Sequence, residues 1–349
     1  MSRTAVVICP GRGTYNKAEL GYLARHHPDK IDLFAGFDNL RKRAGQPPIS
    51  ELDAAETFSL ATHTRGDIAS PLIYASSLAD ARSLADDIDV VAVTGNSMGW
   101  YIALAVAEAV DANDGFRIVN TMGTLMQEHL IGGQLIYPFV DDNWREEPGQ
   151  RQRLLETVQA INARDDCRLA LSINLGGMLV LAGDEAGLAA FESSQPKIEE
   201  RFPMRLPNHA AFHTALQAPV AKAGQRALAG VDFRQPARPI IDGRGCVWWP
   251  DATDLAALRD YTLGHQVTEP YDFTAAVTAA AREFAPDLFI ITGPGATLGG
   301  AVAQALIFSE WEGLRSKADF QVRQAEAPLL VSMGMPEQRS IAIDRHGEA

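Results

Sequence analysis

The sequence predicts an α/β protein that has a parallel-sheet core and an inserted ferredoxin-like small subdomain. Short apolar strands alternate with helical stretches in the first 130 residues, and the same alternation returns near the end of the chain. This alternation is typical of a parallel sheet that helices cover on both faces. Between the two regions the pattern changes to β-α-β-β-α-β, which is the order of a split ferredoxin-like unit.

The elements of the first part follow from hydrophobic patterning. Strands are predicted over TAVVIC (4–9) and DVVAVTG (89–95), because both are short runs rich in β-branched and apolar residues. A helix is predicted to begin at Pro71, since proline is well tolerated in the first turn of a helix. Two further helices are predicted over MGWYIALAVAEAV and over residues 115–130.

The middle of the chain provides the second unit. Strands are predicted in GGQLIYPFV, CRLALSIN, GMLVLAG and PMRLP, with one helix after the first strand and another over residues 184–202. We therefore divide the chain into a discontinuous core (1–131 and 205–349) and a small subdomain (132–204). RPIIDGRG and PDLFIITGPG predict further core strands, whereas the apolar run APLLVSMGM near the end has no assigned place in this prediction.

Composition limits the classes of function. The net charge of −13 argues against nucleic acid or an anionic membrane surface as the main partner. The three cysteines are far apart and form no CxxC motif, so neither a disulfide framework nor a zinc site is expected. The apolar run near the N-terminus is too short for a signal peptide, and no run reaches the roughly 18 apolar residues of a membrane span. These observations predict a cytoplasmic protein.

The stretch Gly95-Asn96-Ser97-Met98-Gly99 lies between a predicted strand and a predicted helix. A nucleophile elbow needs this context, because the crowded turn requires small residues on both sides of the serine. The serine oxygen then lies at a helix N-terminus, where backbone amides can stabilise an oxyanion. The alternative interpretation is an ordinary βα turn that a serine caps.

Three other segments are candidates for parts of a site. CPGRGTY lacks the third glycine of a dinucleotide fingerprint and the Lys of a P-loop, so it is either a tight turn or the donor of one oxyanion amide. LPNHAAFHTAL contains His209 and His213, of which either could be a base or a packed surface residue. GPGATLGG is interpreted as a structural turn.

Taken in order, these segments resemble the malonyl-CoA:acyl carrier protein transacylase family, which includes the acyltransferase domains of fatty acid and polyketide synthases. CPGRGTY resembles the family's F-P-G-Q-G-S-Q, GNSMGWYIAL resembles G-H-S-L-G-E-Y-S-A-L, and AAFH resembles the tetrad that ends in the catalytic histidine. SINLGGMLVLAG, HQVTEP and GPGATL resemble three further family motifs. The resemblance covers residues 4 to about 305 and implies a hydrolase-like core.

The resemblance also implies roles for individual residues. Ser97 would be the nucleophile, His213 its base, and the backbone carbonyl of Gln266 would orient the histidine. The backbone amides of Met98 and Arg12 would form the oxyanion hole. The implied substrates are acyl-CoA and the phosphopantetheine thiol of an acyl carrier protein, which is the expected partner. Neither a bound cofactor nor a metal is expected.

The departures from the family pattern concern the acyl group. Malonyl enzymes use the arginine of an L-R-G motif to bind the substrate carboxylate, whereas this chain has Thr-Met-Gly with Met122 at that position. Because a buried, unpaired carboxylate costs several kcal/mol, Met122 favours an uncharged acyl group. Arg12 is the one charge that could replace the missing arginine. The expected substrate-pocket residues are Met122, Asn96, Phe212 and Asn174.

Two other functions are compatible with the sequence. An acyl-thioester hydrolase would use the same Ser97 and His213, with water as the acyl acceptor. A non-catalytic docking subunit would bind a carrier protein without chemistry, and the departures at positions 12, 96 and 122 leave room for it.

Overall fold

The structure, a computed structural model, describes residues 2–343. It contains two sheets surrounded by helices. The strands are β1 (Arg3–Cys9), β2 (Ile88–Gly95), β3 (Gly133–Pro138), β4 (Leu169–Leu175), β5 (Met178–Gly183), β6 (Met204–Arg205), β7 (Ile240–Ile241), β8 (Val247–Trp248), β9 (Tyr271–Asp272), β10 (Leu288–Ile291) and β11 (Leu330–Ser332).

Helices connect these strands and cover the sheets. They are α1 (Tyr22–His26), α2 (Ile31–Arg43), α3 (Ile49–Asp53), α4 (Leu60–His63), α5 (Gly66–Ala81), α6 (Gly99–Val106), α7 (Ala112–His129), α8 (Gln150–Asn162), α9 (Glu185–Ser194), α10 (Ala218–Ala227), α11 (Leu255–Asp260), α12 (Gln266–Thr268), α13 (Phe273–Phe284), α14 (Gly299–Phe308), α15 (Lys317–Glu326) and α16 (Pro336–Ala342). Short 3₁₀ segments occur at Lys17–Glu19, Ala215–Gln217 and Trp311–Gly313, and a π-helical turn spans Tyr261–His265. In residues 2–343 no helix is both long and apolar enough to cross a membrane.

The larger sheet has the strand order β11-β10-β1-β2-β7-β8, and all neighbours except β7 and β8 are parallel. Strand β1 lies inside the sheet, and residues 5–9 have no exposed surface. The apolar run that had no predicted place forms β11, which pairs with β10 in parallel. Its short length and the residues between it and β10 hid this pairing from sequence patterning.

The smaller sheet has the order β6-β3-β5-β4-β9. Its first four strands are antiparallel to their neighbours and come from the β-α-β-β-α-β segment. Strand β9 comes from the segment after residue 205 and pairs in parallel with β4. The predicted fold class, a parallel-sheet core with an inserted ferredoxin-like unit, is confirmed. The division at residues 132 and 204 stays our proposal, because β9 links the smaller sheet to the core segment.

The prediction that a helix begins at Pro71 is wrong, because α5 begins at Gly66 and contains Pro71 in its interior. Proline has no N–H to donate to the carbonyl four residues earlier, which belongs to Asp67. The guanidinium of Arg41 satisfies that carbonyl instead, with an Nη1–O distance of 2.8 Å. A tertiary contact thus removes part of the cost of an internal proline.

The helix predicted over residues 184–202 is shorter than expected. It spans Glu185–Ser194, and the side chain of Asp184 caps its first turn by accepting a hydrogen bond from the Gly187 amide at 2.8 Å. It ends before Pro196, as expected where a proline restricts the preceding residue to extended backbone. The chain from Gln195 to Phe202 continues without an α-helix.

Candidate active site

Ser97 lies in a sharp turn between β2 and α6, with a left-handed φ of 55°. The two flanking glycines are required by close backbone approach. A Cβ atom on Gly95 would lie 2.2 Å from the backbone of Gly99, and one on Gly99 would lie 2.1 Å from the carbonyl oxygen of Cys9. The Gly-x-Ser-x-Gly spacing therefore permits the elbow geometry, which presents the serine at the carboxyl end of the sheet.

Helix α6 follows the elbow and is buried over most of its length. Trp100, in its first turn, has no exposed surface, and its Nε1 donates a hydrogen bond to Thr262 Oγ1 at 3.0 Å. Its ring also packs edge-on against Tyr261. The apolar helix behind Ser97 thus holds the elbow firmly against the core.

The structure brings Ser97 and His213 together from segments 116 residues apart in sequence, with 2.7 Å between Ser97 Oγ and His213 Nε2. His213 is buried, has a left-handed φ of 56°, and donates its backbone N–H to Val267 O at 3.1 Å. His209 lies four residues earlier and makes no hydrogen bond to Ser97; its Nδ1 lies 2.9 Å from Pro207 O. Residue patterning alone left the two histidines open, and the structure brings to Ser97 the one that the family resemblance implies, His213.

The backbone carbonyl of Gln266 lies 2.6 Å from His213 Nδ1. Because a carbonyl oxygen only accepts, Nδ1 carries the proton and Nε2 presents its lone pair to Ser97. The Gln266 side chain is also engaged: its Nε2 donates to Ser97 O at 3.0 Å, and its Oε1 accepts from Tyr101 OH at 2.7 Å. One residue thus contacts both His213 and the elbow.

Burial lowers the pKa of His213 to about 4, although the hydrogen bond to Gln266 acts in the opposite direction. The imidazole is therefore neutral at pH 7 and able to accept a proton. The ring of Tyr271 lies 5.4 Å from the imidazole, centroid to centroid, and its hydroxyl donates to Gly95 O at 2.5 Å. The apolar surroundings and the single acceptor at Nδ1 fix both the tautomer and the orientation of the base.

The amides of Met98 and Arg12 are free of internal acceptors. Within residues 2–343, neither amide donates a hydrogen bond to another residue. The turn that carries Arg12 packs closely on the elbow, since a Cβ atom on the preceding Gly11 would lie 2.7 Å from Asn96 O. Both residues line a cavity beside Ser97. Unpaired amides next to a nucleophile are the arrangement that an oxyanion hole requires.

Two cavities meet at Ser97. The smaller has a volume of about 20 Å³, and apolar side chains form most of its wall: Met98, Tyr101, Val119, Met122, Met126, Phe212 and Val267. The larger is a cleft of about 530 Å³ between the core and the inner face of the smaller sheet. Ser97, Arg12 and Phe212 line both cavities, so the serine lies where they join.

The expected pocket residues are distributed unequally between the two cavities. Met122 and Phe212 line the smaller cavity, and Asn96 lines the larger cleft. Asn174 lines neither of them; its Nδ2 donates to Asp272 Oδ1 at 3.0 Å, beside the start of α13. The structure therefore does not bring Asn174 to the walls of these cavities.

Sequence reasoning missed several contributors to the site. Tyr101 and the Gln266 side chain brace the elbow, Tyr271 packs on His213, and Ser70 lines the smaller cavity. Tyr101 and Ser70 lie inside buried helices, where their side chains look like ordinary core residues. Only the positions of the neighbouring elements show that they face the site. In the part of the chain that the structure describes, no group of three or more His, Cys, Asp or Glu side chains is placed to hold a metal ion.

Comparison of the sequence with known proteins places this site in context. No family model matches the chain. The chain is 26% identical over 302 residues to the malonyl CoA-acyl carrier protein transacylase of Salmonella typhimurium, an alignment that covers 84% of this chain and 90% of that protein. It is 27% identical over 319 residues to the transacylase of the same name from Mycobacterium bovis, with coverage of 90% and 97%.

Solved structures show the same fold. The malonyl-CoA:acyl carrier protein transacylase of Xanthomonas oryzae superposes with a TM-score of 0.72 at 20% identity, over 99% of each chain. A malonyl-transacylase solved in complex with a type II polyketide synthase acyl carrier protein superposes with a TM-score of 0.70 at 20% identity, over 87% of this chain and 93% of that one. The protein is thus similar in sequence over most of its length, and in fold, to malonyl-CoA:acyl carrier protein transacylases, which are acyltransferases.

Proposed function

We propose that this protein moves an acyl group from an acyl thioester, through an acyl-serine at Ser97, to a second thiol. One observation carries the proposal: Ser97 Oγ lies 2.7 Å from His213 Nε2, and His213 Nδ1 lies 2.6 Å from the Gln266 carbonyl. Nucleophile, base and orienting acceptor stand in line, as covalent catalysis requires. The free amides of Met98 and Arg12 beside them complete the set.

The first half-reaction starts at the serine. His213 Nε2 takes the proton from Ser97 Oγ while the oxygen attacks the thioester carbonyl carbon. The carbonyl oxygen becomes an oxyanion, and the Met98 and Arg12 amides donate hydrogen bonds to it. The intermediate collapses as the C–S bond breaks, and the leaving thiolate takes the proton back from His213. The products are a free thiol and an acyl-serine.

The second half-reaction reverses these steps. The incoming thiol gives its proton to His213 Nε2, its sulfur attacks the ester carbonyl carbon, and Ser97 leaves with the proton returned. We propose coenzyme A as the first thiol and the phosphopantetheine arm of an acyl carrier protein as the second. The names of the relatives support this assignment, as does a solved complex of a similar transacylase with its acyl carrier protein. The cleft of about 530 Å³ that ends at Ser97 has room for such an arm.

Two classes of acyl group are candidates. Met122 is buried in the wall of the smaller cavity and offers no charge, which supports the expectation of an uncharged acyl group. Arg12 lines the same cavity and carries a charge, which favours an acyl group with a carboxylate. We also propose a reducing cytoplasm as the compartment, because Cys9, Cys167 and Cys246 are unpaired thiols.

Intact-mass analysis tests the acyl-serine. The wild-type protein is incubated with a panel of acyl-CoAs that includes malonyl-, succinyl-, acetyl- and butyryl-CoA, and each acyl group adds its own mass. We expect an adduct with at least one of them that is absent from Ser97→Ala. Ser70→Ala is the matched control, since Ser70 lines the same cavity but makes no hydrogen bond to His213. An adduct that survives Ser97→Ala overturns the proposal.

Transfer and hydrolysis differ in the acceptor. With holo acyl carrier protein present, transfer predicts acylated carrier protein and little free acid. Free acid released at comparable rates without any carrier protein would favour a thioester hydrolase on the same residues. A docking subunit without chemistry predicts no adduct with any member of the panel. The Ser97–His213 hydrogen bond argues against this last function.

A further inference from the structure

Trp100 contacts two parts of the candidate active site. Its backbone N–H donates to Ser97 O at 3.0 Å, in the first turn after the elbow. Its indole Nε1 donates to Thr262 Oγ1, also at 3.0 Å, and its ring packs edge-on against Tyr261 with 5.1 Å between the ring centroids. Trp100 stands where the family motif G-H-S-L-G-E-Y has a glutamate. One residue thus joins the elbow to the segment that begins at Tyr261.

That segment is the π-helical turn Tyr261–His265, which lies between α11 and α12. A π-helical turn contains one residue more than an α-helical turn between hydrogen-bonded groups, so the residues after it point in a different direction. Such turns are rare and occur mostly singly, so contacts from outside the turn decide whether it is kept. The direction of the carbonyls of Gln266 and Val267, which follow the turn, therefore depends on those contacts.

The two carbonyls after the turn both bind the histidine. Gln266 O lies 2.6 Å from His213 Nδ1, and Val267 O accepts the backbone N–H of His213 at 3.1 Å. Both carbonyls belong to the short helix α12, which ends at Thr268, and the last carbonyls of a helix have no partner within it. A rotation of this segment would move the acceptor of Nδ1, and the imidazole would turn away from Ser97 Oγ.

Two consecutive residues of α6 contact this segment, one at each end of the π-helical turn. Trp100 donates to Thr262 near its start, and Tyr101 OH donates to Gln266 Oε1 at 2.7 Å just after its end. Thr262 has no exposed surface, and its hydroxyl donates to Leu258 O at 2.8 Å, which leaves an oxygen lone pair for the indole. Because both bonds are buried, water does not compete for them.

A buried hydroxyl elsewhere in the molecule shows what a purely structural bond looks like. Ser76 in α5 donates to Leu72 O at 2.9 Å, four residues earlier, as Thr262 does to Leu258. Among residues 2–343, the Ser76 hydroxyl makes no hydrogen bond to another helix. Thr262 differs because its hydroxyl also accepts from the helix that follows the nucleophile elbow.

We propose that Trp100 is a positioning residue, which through Thr262 keeps the π-helical turn in the conformation that directs the Gln266 carbonyl at His213 Nδ1. This inference rests on the proposed function. The Trp100 and Thr262 side chains line neither cavity at Ser97, so they act on the base and not on substrate binding. A misplacement of about 1 Å in a reacting group costs about 100-fold in rate, so loss of one of the two contacts with α6 should cost about 10-fold.

The reactivity of Ser97 toward a small fluorophosphonate tests this role independently of the acyl group. Ser97 Oγ attacks phosphorus, fluoride leaves, and the serine proton passes through His213 to water; intact-mass analysis follows the phosphonyl-serine. We expect Thr262→Val and Trp100→Phe each to lower the second-order rate constant about 10-fold. Thr262→Ser keeps the hydroxyl and should stay near wild type. Because both single variants remove the same bond, the double variant should be no slower than the slower of the two.

A second measurement reports on the base directly. Nitrogen-15 NMR of labelled histidine, with His213 assigned by its loss in His213→Ala, distinguishes the two neutral tautomers of the imidazole. We expect the wild-type protein to show the proton on Nδ1, where the Gln266 carbonyl accepts it. Thr262→Val should shift the population toward the proton on Nε2, because that acceptor has moved. A loss of stability alone would not change the tautomer.

Ser76→Ala is the matched control, because it removes a buried hydroxyl bonded within its own helix. It should leave the rate constant unchanged whatever its melting temperature. A wild-type rate constant and tautomer in folded Thr262→Val, or losses that multiply in the double variant, overturn the positioning role. Trp100→Phe decides alone if thermal melting shows that Thr262→Val does not fold. Failure of the proposed function looks different, since then neither the fluorophosphonate nor any acyl-CoA labels Ser97 in the wild-type protein.

Discussion

Within residues 2–343, buried charged groups have internal partners of opposite charge in one region of the molecule and lack them in another. In the first, Asp80 at the end of α5 meets Arg339 of α16, with Arg339 Nη1 and His27 Nε2 each 2.7 Å from Asp80 Oδ1. Tyr22 OH and the Gly293 amide donate to Asp80 Oδ2. In the second, at Ser97, the Arg12 cation faces a cavity without an internal anion.

The difference indicates which of the two regions binds a ligand, namely the one whose polar groups lack internal partners. Burial raises the pKa of Asp80, but the hydrogen bond with His27 and the charge of Arg339 outweigh it and hold the pKa below its ordinary value. Both oxygens of Asp80 are thus paired, and the cluster joins α16 to the core. The site at Ser97 leaves donors unpaired, which costs stability unless substrate or an oxyanion completes them. Substitutions in the Asp80 cluster should therefore mainly lower the free energy of unfolding, and substitutions at the Ser97 site should mainly lower the acylation rate.

The largest expected effect on the acylation rate follows removal of the base, His213. His213→Ala removes the acceptor of the Ser97 proton and should lower the acylation rate at least about 10³-fold, with little change in melting temperature. His209→Ala is the matched control, since His209 lies on the same loop but does not contact Ser97. It should cost less than about 10-fold. Equal losses in the two variants, measured by quenched-flow acylation, would show that the loop and not the base is responsible.

Substitution of Asp80 should change the stability of the fold and not the acylation rate. Asp80→Ala leaves the Arg339 cation buried without its partner and should lower the free energy of unfolding by about 3–5 kcal/mol. The control is Asp166→Ala, which removes a largely exposed ion pair with Arg164 and should cost no more than about 1 kcal/mol. Urea denaturation measures both. Acylation per folded molecule should stay close to wild type in each, and a stable Asp80→Ala protein with lost activity would reverse the comparison.

The brace at Gln266 should have an intermediate effect on chemistry. Gln266→Leu keeps the backbone carbonyl that accepts from His213 but removes the side-chain bonds to Ser97 O and Tyr101. We expect kcat to fall about 10-fold with KM nearly unchanged, because the elbow loses orientation and not binding. Tyr101→Phe, which removes only one of those bonds, should lose less. A change confined to KM would contradict a positioning role.

The pH dependence is the smallest effect near neutrality. Since burial lowers the pKa of His213 to about 4, the acid limb of kcat/KM should lie near pH 4 and not near the ordinary 6.5. The rate should therefore change little between pH 7 and pH 5. Because the folded pKa is depressed, the stability that neutral His213 contributes is present above pH 6.5 and is lost as the pH falls toward 4. An acid limb of the kcat/KM profile near pH 6.5 would contradict this prediction, because it would indicate that the His213 imidazole is exposed to solvent.

Local patterning predicted much of the fold. The alternation of apolar strands and helices identified both sheets, because burial on both faces writes continuous apolar runs into parallel strands. The elbow was visible in sequence for a similar reason, since backbone contacts of 2.1–2.2 Å to added Cβ atoms permit only glycine at positions 95 and 99. Strand β11 and the start of α5 were missed, because long-range pairing and the Arg41–Asp67 contact decide them.

The sequence by itself determined the elbow, the alternation of strands and helices that identifies the two sheets, and the lack of an arginine at position 122, since each depends on residue type and local spacing. The family resemblance implied His213 and the Gln266 carbonyl, whereas only the tertiary structure decided that the Gln266 side chain also contacts the elbow and that Arg12 lines the cavity. The physical reason is that side-chain direction follows from packing between distant segments. Position 12 and the cavity wall in α5 are more than fifty residues apart in sequence, so no local pattern could predict that they lie close together.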